Sequence, residues 1–185
     1  TVTTMVGEMC KAAGLNTVIA GNIGLPVLDA LAEAEQAGGT SKPQCYVLEL
    51  SSFQLETTSS LDLDAATVLN VTEDHLDRYD DMAHYASAKA RIFSRCRHQV
   101  LNREDRYSVA MKSSGNSVSY FARYAPLGPS HFGLSSVRGE SWLAHDQMPL
   151  MAVADLPLAG GHNVANALAA LALARAIDLP YPPII

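Results

Sequence analysis

The groups able to do chemistry in this sequence fall at the ends of short apolar runs. Glu49 closes one such run, and Thr72-Glu73-Asp74-His75-Leu76-Asp77-Arg78 follows another. An acid and an imidazole delivered to neighbouring strand ends could hold a divalent cation, with Glu49 offering the hard oxygen magnesium favours and His75 a nitrogen. The same pattern also suits a paired strand-end acid and a solvated acidic loop. Lys89 stands within Ala86-Ser87-Ala88-Lys89-Ala90, a helical stretch where a lysine is ordinarily solvated. Burial near a cation would lower its pKa and make the neutral, nucleophilic amine accessible. In Gly160-Gly161-His162-Asn163-Val164-Ala165-Asn166, two amides lie three residues apart on one face of a helix start. There they can donate to and accept from an adenine edge, or Asn163 can simply cap the helix.

These groups depend on the elements between them. Thr3 to Ala13 is predicted as an amphipathic helix, with Met5, Val6, Met9, Cys10 and Ala13 at three- and four-residue spacing and Gly14 as its stop. Thr17 to Ala20 reads as a short strand, 21–26 as a loop, Val27 to Ala37 as a helix and the polar 38–44 as a surface connection. Cys45 to Leu50 and Ala65 to Val71 are apolar runs of the kind buried on both faces of a sheet. Met82 to Cys96 is predicted helical and Gln99 to Asn102 a strand. This alternation predicts an α/β fold with a mostly parallel sheet flanked by helices, whose ligands bind beyond the carboxyl ends of the strands. From Ser117 to Pro157, short β-prone pieces around Tyr120, Phe132 and Trp142 predict a small antiparallel addition, and a long Ala- and Leu-rich helix follows. There is no internal repeat.

Composition narrows the function classes. With 185 residues, 48% of them hydrophobic, the chain can bury a substantial core. A formal charge of −6 without clustered Lys and Arg argues against nucleic acid as a partner. No apolar run approaches the roughly 18 to 20 residues that cross a bilayer, so no membrane partner and a cytoplasmic location are expected. Cys10, Cys45 and Cys96 lie far apart in sequence without C-x-x-C spacing. Neither a zinc site nor a redox pair is indicated, and small buried or half-buried thiols in a reducing cytoplasm are expected. The chain opens on Thr1 and enters a helix at once, as expected of a piece whose N-terminal part is missing.

Six ordered segments together resemble the Mur ligase family. They are the opening Thr1-Val2-Thr3-Thr4-Met5-Val6-Gly7-Glu8-Met9, then Gly21-Asn22-Ile23-Gly24-Leu25-Pro26, then Tyr46-Val47-Leu48-Glu49-Leu50-Ser51-Ser52-Phe53-Gln54-Leu55-Glu56. Leu69-Asn70-Val71-Thr72-Glu73-Asp74-His75-Leu76-Asp77-Arg78-Tyr79, Ala88-Lys89-Ala90-Arg91-Ile92-Phe93 and Gly161-His162-Asn163-Val164-Ala165-Asn166-Ala167-Leu168-Ala169-Ala170 complete the set. The stretch from about Arg103 to Leu156 matches loosely.

The resemblance implies the central, ATP-binding domain of a three-domain ligase with a P-loop-type sheet. The family phosphate loop, G-x-x-G-K-[ST], would end just before Thr1. That loop, the N-terminal UDP-binding domain and the C-terminal amino-acid-binding domain are then expected to lie outside the chain. By the same resemblance, Glu49 and His75 would be Mg2+ ligands. Lys89 would be carbamylated and help place a second metal. Thr1 would adjoin the nucleotide phosphates, and Asn163 and Asn166 would lie near the adenine. Asn22, Ser51 and Ser52 would line the substrate path. Within the family the likeness is greatest to ligases that add D-glutamate to UDP-N-acetylmuramoyl-L-alanine in peptidoglycan precursor synthesis. The substrate carboxylate attacks the ATP γ-phosphate, and the amine then attacks the acyl phosphate. The isolated piece is expected to be inactive. Competing readings are another Mur ligase, a folylpolyglutamate synthase-like ligase, a metal-dependent hydrolase using the 73–77 cluster, and a non-catalytic nucleotide-binding module.

Overall fold

The computed structural model describes residues 1–37, 42–73 and 78–185. Helix α1 (Val2–Ala12) leads into β1 (Thr17–Gly21), α2 (Val27–Ala37) and β2 (Cys45–Glu49). Val2, Val6 and Cys10 recur every four residues along α1 and form its buried stripe. Gly7 lies against Ile19 so closely that a Cβ would collide with that side chain, which lets the helix sit directly on β1. Strands β1 and β2 run parallel, in register from Thr17 opposite Cys45 to Gly21 opposite Glu49.

After α3 (Ser52–Thr57) come β3 (Leu63–Val68), α4 (Met82–Ala90), β4 (Cys96–Asn102), α5 (Arg106–Ala110) and β5 (Ser117–Phe121). Strands β6 (His131–Val137), β7 (Glu140–His145) and β8 (Met148–Ala152) precede α6 (Gly161–Ala176). Strands β3 to β8 form one six-stranded sheet in sequence order, parallel from β3 to β6 and antiparallel from β6 to β8. Its middle strands are covered on both faces. On β4, Val100 packs into the core shared with α1 and α6, while its neighbour Leu101 packs into the core shared with α4. Helix α6 is buried nearly all round from Val164 to Ala174, and its alanines let it lie close to both α1 and the sheet.

The expected α/β fold holds, with three adjustments. The helix expected through Cys96 ends at Ala90, where Arg91–Phe93 tightens into a 3-10 turn and Cys96 already begins β4. Arg91 helps fix this end by donating from Nε to the Leu55 carbonyl at 2.8 Å. Strand β5 is parallel to β4, so the antiparallel addition starts only at β6. The five-residue helix α5, too short to show a helical period, supplies the crossover that makes this possible. Lastly, the strands form two sheets. Among the described residues, β2 is bonded along one edge to β1 and β3 along one edge to β4. A cavity of about 1410 Å³ is lined by both free-edged strands from end to end.

Candidate functional site

The cavity between β2 and β3 collects groups from both sheets. Thr1, Thr3, Glu49, Asn70, Lys89 and Asn166 all line it. Thr1 is the N-cap of α1, and its carbonyl accepts from Met5 N–H at 3.0 Å. One turn of helix brings Thr3 over the end of β2, where its hydroxyl donates to the Glu49 carboxylate at 3.1 Å. Glu49 is half-buried. Its backbone carbonyl accepts from Asn22 N–H at 2.6 Å, which fastens the loop after β1 to the end of β2. That loop folds back on itself through Gly21 N–H to Leu25 O at 2.9 Å. Gly21 itself has φ +128, and a Cβ there would collide with the Glu49 carbonyl, so the close approach of the two strand ends needs glycine. Asn22 is exposed and, unlike its neighbour Ile23, does not line the cavity.

Immediately after Glu49, Ser51 opens α3 through a reciprocal cap. Its hydroxyl accepts from Gln54 N–H at 3.3 Å, while Gln54 Oε1 accepts from Ser51 N–H at 2.8 Å. Ser51 therefore has a full structural role, and Ser52 is buried. The far end of α3 anchors the segment after the second strand end. Glu56 accepts from the Tyr79 hydroxyl at 2.6 Å and from Arg78 at 2.7 Å, and the Arg78 guanidinium lies 4.6 Å from the Phe53 ring centroid. The Tyr79 hydroxyl, and then Arg78, hold the Glu56 carboxyl below its usual range. Burial, and then the bond to Glu56, raise the Tyr79 phenol.

His75, with Asp74 and Asp77, lies outside the described residues. The strand end leading to it is tied down by groups that the sequence reading did not single out. Asn102 Nδ2 donates to Leu69 O at 2.7 Å, Ser108 Oγ to Val68 O at 3.0 Å, and Val71 N–H to Asp105 at 3.0 Å. Asp105 also caps α5, and an Asp three residues before a Ser was the available sign of that helix start. Thr3 was legible as one of the opening threonines.

Lys89 comes from the last turn of α4, is half-buried, and holds its ammonium 4.8 Å from the Tyr85 ring centroid. On the opposite wall, Asn166 donates to Asn163 Oδ1 at 3.4 Å and Asn163 to Ala159 O at 2.8 Å. The helix N-cap is Gly160 rather than Asn163, with φ 104. The two amides thus form a pair on the first turns of α6, with Asn166 reaching the cavity.

The donor set suits a hard cation. A carboxylate and a hydroxyl at Glu49 and Thr3 are oxygen ligands of the magnesium type. Among the described residues no group of three or more His, Cys, Asp or Glu side chains converges, here or elsewhere, so Glu49 is the one carboxylate these residues bring to the Thr3 hydroxyl. Nor is any helix among them long and apolar enough to cross a membrane.

A family profile described as Mur ligase middle domain matches residues 1–174. The UDP-N-acetylmuramoylalanine–D-glutamate ligase of Methylobacillus flagellatus is 57% identical over 179 residues, covering 97% of this chain and 38% of that protein. The enzyme of the same name from Nitrosomonas europaea is 52% identical over 189 residues, covering 100% of this chain and 40% of its own. The chain thus spans about two-fifths of the length of these curated relatives. Among solved structures, MurF from Acinetobacter baumannii superposes with TM-score 0.74 at 21% identity, over 99% of this chain and 42% of that one. E. coli FolC in complex with DHPP and ADP gives TM-score 0.64 at 18% identity, over 99% and 52%. At such identities the likeness is one of fold.

Proposed function

The chain belongs to the Mur ligase middle-domain family, and from that premise we propose that it is the ATP-handling core of a longer cytoplasmic ligase that joins D-glutamate to UDP-N-acetylmuramoyl-L-alanine. The observation that carries this reading is that Thr1, Glu49, Lys89 and Asn166 all line the cavity that runs the length of β2 and β3, with Glu49 at the carboxyl end of β2. Identity above 50% to two ligases of that specificity, across nearly the whole chain, supports the choice of substrate.

In this reading Glu49, Thr3 and His75, with Lys89 as its carbamate, would hold the Mg2+ ions. Those ions supply neutralisation where a carboxylate must approach a triphosphate. Asn163 and Asn166 present amide donors and acceptors to the adenine edge. Asn22, with Ser51 and Ser52 close by, borders the path of the muramoyl peptide. The phosphate loop, with the strand leading into it, comes from polypeptide outside these 185 residues. That arrangement accounts for the free edges of β2 and β3, which offer an inserted parallel strand a partner on each side.

The test is product formation by the longer polypeptide with ATP, Mg2+, UDP-N-acetylmuramoyl-L-alanine and D-glutamate. Phosphate release should require all of them, and the 185-residue chain alone should release none. Lys89→Ala should lose most activity and regain part of it with a short carboxylic acid, which replaces the missing carbamate. Turnover indifferent to D-glutamate, or full turnover by the chain alone, would overturn the proposal.

A further inference from the structure

Cys10 and Cys45 are 35 residues apart in sequence, yet the fold brings their sulfurs to 3.8 Å. The sequence reading found no redox pair, because it looked for close spacing; here the pair is made by packing α1 against β2. We propose that these two thiols form a modification site, at which a peroxide produces a reversible disulfide that ties α1 to the start of β2. Neither thiol is among the groups of the ligase reading, but Cys45 lies on the β2 edge that this reading pairs with a further strand, so the proposal is tested on the longer polypeptide.

The geometry assigns different roles to the two sulfurs. Cys10 is wholly buried, whereas Cys45 is half-exposed and lines the cavity, so an oxidant dissolved in water meets Cys45 first. The contact with Cys10 lowers the Cys45 pKa to about 7, against opposing pushes from burial and from Asp64 on β3. Near neutral pH Cys45 therefore has substantial thiolate character, the form that reacts with peroxides. The same contact and burial push the Cys10 thiol up. Cys10 is thus the resolving partner and keeps its proton until it attacks. Closing the sulfurs to a bond of about 2.05 Å needs an approach of under about 2 Å. Cys96 provides an internal control. It is buried, its thiol is raised by that burial, and its sulfur is engaged with the His98 carbonyl at 3.1 Å.

The chemistry balances with hydrogen peroxide as the oxidant. Cys45 thiolate attacks one peroxide oxygen, the O–O bond breaks, and hydroxide leaves, taking up a proton to become water. Cys45 is now a sulfenic acid. Cys10 sulfur attacks Cys45 Sγ, the S–O bond breaks, and the departing hydroxide carries off the Cys10 proton as a second water. Two thiols lose two electrons, and peroxide is reduced to two waters. The resulting bridge encloses β1 and α2, so it restrains the two-stranded part of the molecule.

The experiment treats the longer polypeptide with dilute hydrogen peroxide near neutral pH. Remaining thiols are then alkylated in denaturant, and the digested peptides are identified by mass spectrometry. The expected result is a cross-linked peptide pair containing Cys10 and Cys45, reversed by dithiothreitol, with Cys96 fully alkylated and the chain monomeric on a non-reducing gel. Cys10→Ser should stop Cys45 at a sulfenic acid that dimedone traps, and Cys45→Ala should leave Cys10 unoxidised. Hydrogen exchange of β1 and β2 amides should slow in the oxidised wild-type chain. The proposal is overturned if wild-type Cys45 accumulates sulfenic or sulfinic acid without the cross-link. It is equally overturned by disulfides between separate chains, or by oxidation of Cys45 no faster than that of Cys96.

Discussion

The two sheets are built from similar parallel pieces but solve burial differently. In the six-stranded part, Phe121, Phe132, Leu143 and Leu168 are at most 1% exposed, and the middle strands are bonded along both edges. In the two-stranded part, every residue of β2 is at least partly exposed, and Leu28 on α2 is 78% exposed. This smaller sheet is joined to the rest mainly through α1, which packs on β1, β2 and α6. A two-stranded unit is marginal without such support. The proposed site groups come from both sides of this divide. Glu49, Thr3 and Asn22 belong to the lightly held part, and Lys89, Asn163 and Asn166 to the heavily buried one. The difference follows from the gap between β2 and β3: while it is open, the part that carries Glu49 is held mainly by α1, whereas the six-stranded part is packed on both faces.

Phe121→Ala should give the largest effect, because it opens a cavity in the most buried part and should cost about 3–5 kcal/mol in urea unfolding. A cost under 1 kcal/mol would refute the claim that this part carries the stability. Gly21→Ala comes next. A side chain at φ +128 and against the Glu49 carbonyl should cost about 1–3 kcal/mol. The loss should appear as faster hydrogen exchange in β1 and β2, with β4 and β5 unchanged. Uniform acceleration would mean that the two sheets unfold as one.

The Glu56 tether gives a smaller, pH-dependent effect. Its carboxyl pKa is depressed in the fold, so its contribution is complete above the unfolded carboxylate pKa and lost as pH falls through the lower folded value. Tyr79 ring resonances should therefore shift below the usual carboxylate range, and Glu56→Gln should abolish that dependence. A Tyr79 shift that persists in Glu56→Gln would assign it to another group. Leu28→Ser should be smallest, within about 0.5 kcal/mol, since it removes a side chain that is mostly in water.

Much of this was legible in the residues because it rests on local periodicity. The stripe of α1, the β1 and β2 runs, the strand leading to Val71 and the start of α6 follow from apolar spacing and from glycine. The strand-end position of Glu49 follows from the same runs. Other features depended on contacts distant in sequence. Nothing local in Cys10 and Cys45 shows that their sulfurs meet, nor that Thr3 reaches Glu49 across 46 positions. Helix α5 is too short to show a period, so the parallel placement of β5 went unseen. The division of the strands into two sheets is a matter of long-range pairing, which strand propensity does not encode.

The central claim is that the two parts meet in one site. A double-mutant cycle in the longer polypeptide tests it most directly, comparing Glu49→Ala, Lys89→Ala and the pair in D-glutamate-dependent phosphate release. If both groups serve one reaction centre, each single change should lower kcat about 100-fold or more, and the double variant should fall little below the worse single one. Losses that multiply independently, or a fully active Glu49→Ala, would contradict the account.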